Sequence, residues 1–245
     1  LIAAGLERVR VGRRGSDLVV EYENQRYARN EVDALALVFG LAAELGPDDV
    51  ARVHALTLKN GMRLYDSSLD RAAYRHFLRD GSATEVRDSL EWQIQPSDLS
   101  GQTHWVDACA SPASKLRVEL HPNLNYTLGT EIGAFDYSLA ADVQATAPLW
   151  RGGSLVATYT APLGHSTNMD DGAAFAIYRH RGGLKTAALQ QSWWLGNRIL
   201  AQGAVGSFYH GVAGAQAEAA MIVPGRDDVI RLRGATYERS PDPLF

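Results

Sequence analysis

Cysteine is nearly absent from this sequence: Cys109 is the single one in 245 residues. One thiol cannot close an intrachain disulfide or build a multi-cysteine metal site. Cys109, within Asp107-Ala108-Cys109-Ala110-Ser111, reads as a small filler residue. Long hydrophobic runs are missing too. The longest, Ala34 to Ala43, is too short to cross a bilayer as a helix. Positive charge is not in excess. A formal net charge of -4, with no basic stripe interleaved with aromatics, leaves no case for a nucleic-acid partner. No GxSxG, HExxH, Walker, GxGxxG or CxxC motif occurs. His104, His121, His165, His180 and His210 are scattered singly, and Met169-Asp170-Asp171 offers too few oxygens for calcium. No metal and no cofactor is therefore expected. No secretory leader follows Leu1, and Ser240-Pro241-Asp242-Pro243-Leu244 before Phe245 cannot be a paired strand, because each proline lacks a ladder donor. The sequence is read as a piece of a longer protein, so the missing leader is no argument against export.

What is present is alternation. Hydrophobic residues make up 46% of the chain and charged residues 21%, with a mean hydropathy of -0.19. That average excludes a helical membrane protein but suits a barrel, whose polar interior offsets an apolar exterior. The clearest case is Asp136 to Ala147. Tyr137, Leu139, Ala141, Val143, Ala145 and Ala147 fall on one face; Asp136, Ser138, Ala140, Asp142, Gln144 and Thr146 fall on the other. Only a pleated strand sorts residues with this period of two. Lys115 to His121 alternates likewise, with Leu116, Val118 and Leu120 opposite the charges and Pro122-Asn123 at its end. Ser154 to Ala161, Ala173 to Arg179, Leu184 to Trp194, Ile199 to Tyr209, Ala213 to Val223 and Val229 to Tyr237 continue the series. Turns fall at Arg151-Gly152-Gly153, Arg181-Gly182-Gly183, Gly196-Asn197, His210-Gly211 and Pro224-Gly225-Arg226-Asp227. Segments near ten residues suit tilted transmembrane strands. Trp150, Tyr159, Trp193, Trp194, Phe208, Tyr209 and Tyr237 lie near segment ends, as an interfacial girdle requires. A soluble β-sandwich or barrel alternates in the same way and stays open on pattern alone.

The first part differs. Leu1 to Glu7 looks like the end of a helix, followed by strands at Arg8–Val11 and Asp17–Glu23. Asn30 caps a helix to about Leu45 that buries Leu35, Val38, Phe39, Ala42 and Leu45, and Gly46-Pro47 stops it. Arg52–Lys59, the type I′ hairpin signal Asn60-Gly61 and Met62–Asp66 come next. Ser68 then caps a helix over Leu69–Arg79, with Leu69, Ala73, Phe77 and Leu78 inward, and Gly81 ends it. This is an α+β domain of two ββα units, its helices on one face of an antiparallel sheet. Glu85 to Gln95 reads as one more strand. The expected domains are 1–95 α+β, 96–114 linker, and 115–245 a partial antiparallel β-barrel of outer-membrane type.

Several strings in both regions resemble one family. They are Val9-Arg10-Val11-Gly12, Leu18-Val19-Val20-Glu21-Tyr22-Glu23-Asn24-Gln25-Arg26-Tyr27, Asn30-Glu31-Val32-Asp33-Ala34-Leu35 and Thr57-Leu58-Lys59-Asn60-Gly61. Later come Leu120-His121-Pro122-Asn123-Leu124, Gly133-Ala134-Phe135-Asp136-Tyr137, Leu149-Trp150-Arg151-Gly152-Gly153 and Ala161-Pro162-Leu163. The chain resembles the YjbH/GfcD family of Gram-negative outer-membrane proteins. The resemblance implies a non-enzymatic barrel protein of exopolysaccharide or capsule export, with the first domain in the periplasm. Implied partners are outer-membrane lipid, polysaccharide and other proteins of the export machinery.

If the oily faces meet lipid, Lys115, Arg117, Glu119, Asp142, Gln144, Gln191, Gln202, Gln216 and Glu218 face the lumen. Amides and carboxylates there can hydrogen-bond sugar hydroxyls, and Trp193 could stack on a sugar face. Two alternatives remain: a polysaccharide-modifying enzyme, for which Glu119, Asp142 and Glu218 are the carboxylates to align, and a soluble carbohydrate-binding or adhesive module.

Overall fold

The computed structural model describes residues 1–27, 30–94, 102–106, 116–223 and 228–238. Cys109, Lys115, most of the expected linker, the turn at 224–227 and the proline-rich tail at 240–245 lie outside the described residues. The chain divides into two compact units, Leu1–Ser114 and Lys115–Phe245.

The first unit holds β1 (Leu6–Arg14), β2 (Asp17–Asn24), α1 (Glu31–Leu45), β3 (Arg52–Lys59), β4 (Met62–Asp70), α2 (Arg71–Asp80), α3 (Thr84–Ser89), β5 (Glu91–Ile94) and β6 (His104–Val106). Two ββα units thus follow one another in chain order. They build a six-stranded sheet in the order β5-β4-β3-β2-β1-β6. The sheet is mixed and not antiparallel throughout: β2 and β3 run parallel, because α1 carries the chain back across the sheet before β3 begins. Leu18, Val20 and Tyr22 of β2, with Val53 and Ala55 of β3, pack against Leu35, Val38, Phe39 and Ala42 of α1. Tyr74 of α2 joins this core and meets Phe39 at a ring distance of 5.9 Å.

Several sequence expectations are corrected in this unit. Residues 2–5 form turns, and β1 already starts at Leu6. Leu45 ends α1 at 78% exposure, because one further turn carries it past the sheet. β4 runs on to Asp70, since the ladder with β3 continues through His54–Ser68 and Arg52–Asp70. Ser68 therefore sits in a strand, Asp70 occupies the N-cap of α2, and Leu69 is a strand residue of the core. Leu78 is exposed. Within Glu85–Gln95, helical bonds from Arg87 N–H to Ala83 O and Leu90 N–H to Val86 O create α3 before the short β5. Residues 104–106, expected in the linker, pair as β6 with β1.

The Asn60-Gly61 hairpin forms as its sequence requires, with φ of 48° and 70°. Glu23, fully buried, accepts both turn amides, Asn60 N–H at 2.8 Å and Gly61 N–H at 3.1 Å. Arg8 pairs with the same carboxylate at 3.2 Å; it sits at φ 50° beside a bulge in β1.

The second unit is a seven-stranded antiparallel sheet curled into a half-barrel. Its strands are β7 (Arg117–Leu128), β8 (Phe135–Trp150), β9 (Gly153–His165), β10 (Gly183–Leu195), β11 (Ile199–Phe208), β12 (Val212–Ile222) and β13 (Val229–Tyr237). Each pairs with the next in sequence, and β7 and β13 are the two open edges. β7 passes through Pro122, which does not end the strand as expected; on an edge strand the missing N–H need not break the ladder. Residues 173–179 are turns and a short 3-10 helix (Ala176–Tyr178), not a strand. Among the described residues, no helix is long and apolar enough to cross a membrane.

Candidate functional site: the polar face of the half-barrel

Residues paired across an antiparallel ladder point to the same side of the sheet. One set of rows reads Glu119–Gln144–Thr158, Arg117–Thr146–Val156–Ala188–Gly206–Gly214–Tyr237, and Ser192–Gln202–Glu218–Arg233. The opposite face carries Leu120–Val143–Tyr159 and Ala147–Leu155–Leu189–Val205–Ala215. Burial is the reverse of a soluble sheet. Ser138 and Asp136 on the polar face are 1% and 3% exposed, whereas Leu120 and Leu232 on the apolar face are 69% and 75% exposed. At this end of β8 the polar side is the enclosed one, because the connection at 166–182 lies against it.

Of the residues singled out from sequence, Arg117, Glu119, Asp142, Gln144, Gln202, Gln216 and Glu218 share this polar face. Gln191 does not. It pairs with Gly153 and Gly203 on the apolar side, where its carbonyl oxygen accepts the Trp150 indole N–H. The cause is a register shift between Leu184 and Thr186, which changes the phase of everything after it, so Gln190 takes the inner place. Trp193 moves with Gln191 to the apolar face, and Trp194 lies on the polar one. The stacking role expected of Trp193 is corrected accordingly. Tyr159 is mid-strand in β9, not near its end. Tyr126 and Phe135, beside the turn at 129–134, are end aromatics that the sequence reading missed by ending β7 too early.

Over β7–β9 the polar face is closed. Asp142 accepts from Thr160 Oγ1 at 2.7 Å, Lys185 Nζ at 2.9 Å and Asn123 Nδ2 at 3.0 Å. The connection at 166–182 then lies on top. Ser166 Oγ and Asn168 Nδ2 donate to Asp136 at 2.8 and 3.1 Å, the His180 backbone N–H donates to Ser138 Oγ at 2.9 Å, and Asn125 Nδ2 donates to Tyr178 O at 2.8 Å. Met169 is wholly buried there. Lys185, at the bulge, could not be found from simple alternation.

Over β10–β13 the polar face is open. A recess of about 200 Å³ is lined by Gln190, Gln202, Gln216, Glu218 and Arg233. Gln202 Nε2 donates to Gln190 Oε1 at 3.3 Å, and Gln216 Nε2 donates to Tyr237 Oη at 2.8 Å. Arg231 pairs with Glu218 at 3.0 Å. Arg231 and Arg233 were not singled out from sequence, although their alternation with Ile230 and Leu232 is a readable signal. No group of three or more His, Cys, Asp or Glu among the described residues is arranged to hold a metal.

These features define a strand-rich protein in two units, the second a curled half-barrel sheet with one polar and one apolar face. The family model for exopolysaccharide biosynthesis protein YbjH matches residues 2–218. The chain belongs to that family, and the match runs from the first sheet into β12. No curated protein and no solved structure matches it.

Proposed function

We propose that this chain forms part of the outer-membrane wall of an exopolysaccharide or capsule export apparatus and carries out no turnover chemistry. The observation that carries the reading is the inverted amphipathicity, sharpest over β7–β9: Leu120 and Tyr159 are exposed on the apolar face, while Asp136, Ser138, Asp142 and Thr160 are buried on the polar one. A contiguous apolar surface of this kind needs lipid or protein against it. In this reading, further strands on β7 and β13 close the barrel.

Topology supports a direction across the membrane. The connections at 151–152, 196–198 and 223–228 share one end of the sheet; those at 129–134, 166–182 and 209–211 share the other, and the long connection, 166–182, is at that second end. Outer-membrane barrels keep short turns on the periplasmic side. In this reading the end that holds 151–152 and 196–198, where the chain also enters β7, faces the periplasm, and the residues before 115 lie on that side. The carboxylates that an enzyme would use are engaged: Asp142 by three donors, Glu218 by Arg231, and Glu119 by Arg117 at 3.6 Å. The test is fractionation of the full-length protein. It is expected in the outer membrane, with a band whose gel migration changes on boiling. Recovery in the aqueous phase without detergent overturns the reading.

A further inference from the structure

We infer that the open half of the polar wall, over β10–β13, binds an acidic polysaccharide and that Arg233 receives the carboxylate of its sugar. This rests on the export reading above and names the polymer's chemical class.

The argument begins with charge pairing on that face. Arg117 lies 3.6 Å from Glu119, Lys185 lies 2.9 Å from Asp142, and Arg231 lies 3.0 Å from Glu218. Each of these cations already has a carboxylate. Arg233 sits directly across the ladder from Glu218, yet that carboxylate turns to Arg231. The Arg233 guanidinium instead meets the neutral amide oxygen of Gln216 at 3.4 Å, at the wall of the recess. A guanidinium offers five donors in a planar fork that matches a carboxylate. An amide oxygen at that distance uses one of them.

The surroundings suit a sugar chain. Gln190, Gln202 and Gln216 line the same recess, and primary amides donate and accept, as sugar hydroxyls do. Trp194 lies one row beyond the recess on one side, and Tyr237 lies on the other side with its ring over Gly214. Flat rings at both ends of a polar strip give a polymer apolar surfaces to lie on. The connection at 166–182 covers the β7–β8 side of the wall, so the β10–β13 side is where a chain finds room.

The test uses the full-length protein folded in detergent and a fluorescent oligogalacturonate. Binding is read by polarisation, with a cello-oligosaccharide of equal length and the methyl-esterified oligogalacturonate as comparisons. The acidic chain is expected to bind best, and methyl esterification to weaken it roughly tenfold, as loss of one charge-assisted contact does. Arg233→Gln should weaken the acidic chain by a similar factor and so narrow its advantage over the neutral chain. Equal binding of all three glycans, no binding of any, or an unaltered response in a folded Arg233→Gln protein overturns the proposal. The esterified glycan decides the matter on the unaltered protein if the variant does not fold. A protein that fractionates with the outer membrane but fails here overturns this site alone; one found in the aqueous phase overturns the export reading.

Discussion

Glu23 shows how one side chain can serve two elements. Its carboxylate, buried in the first sheet, holds the two amides of the Asn60-Gly61 turn and the Arg8 guanidinium. Glu23→Ala removes the acceptor of the two turn amides, and leaving buried donors unsatisfied costs about 1–3 kcal/mol. Urea denaturation followed by circular dichroism should show that loss. Tyr22 sits in the same strand, wholly buried, donating to Glu31 at 2.8 Å and touching Thr57. Burial pushes its phenol well above the ordinary tyrosine range. The folded state therefore keeps this proton when the unfolded chain loses it, at about pH 10. Stability from this group is complete below that pH and falls as pH rises through it. A denaturation series from pH 9 to 11 should show the decline, and Tyr22→Phe should flatten it. On the polar wall, Asp136 is the anchor of the 166–182 connection. Asp136→Ala should raise proteolytic cleavage within 166–182 roughly tenfold, the effect of losing about 1.5 kcal/mol of hydrogen bonding.

A strand is decided by its phase, and phase can be lost at one residue. Alternation read from sequence sorts Asp142, Gln144, Gln216 and Glu218 to one face, and the ladder joins them there, because no irregularity interrupts those stretches. Gln191 and Trp193 go to the other face because the bulge beside Lys185 comes before them. Nothing in Leu184-Lys185-Thr186 marks that bulge. Gly206 shows the same dependence on neighbours. With φ at +157°, it passes so close to the Ala187 carbonyl that a Cβ would collide with it. Gly206→Val should therefore separate β10 from β11 and abolish the heat-modifiable band. The apolar face offers a contrasting pair. Leu120 lies across from Val143 at the middle of β8. Leu120→Arg should cost about 2–4 kcal/mol in lipid, as arginine does near the bilayer midplane, whereas Gln144→Arg on the polar face should fold normally. Unfolding titrations in vesicles compare the two.

For the whole molecule, the proposed orientation can be read by labelling. In a Cys109→Ser background, Glu131→Cys, in the 129–134 connection, should react with an impermeant maleimide on intact cells. Arg151→Cys should react only after the outer membrane is opened, and the reverse pattern inverts the topology. By itself the sequence determined the strand-rich second half, the two ββα units and the sidedness of most strands, since period, turn residues and helix stops are local properties. Tertiary structure decided the rest. It made the first sheet mixed, because only the crossover through α1 sets β3 beside β2 in parallel. It drew residues 104–106 into that sheet, because pairing with β1 depends on an edge far away in sequence. It divided the polar wall into a covered half and an open half, because the 166–182 connection is held by partners on β7 and β8 that no local pattern announces.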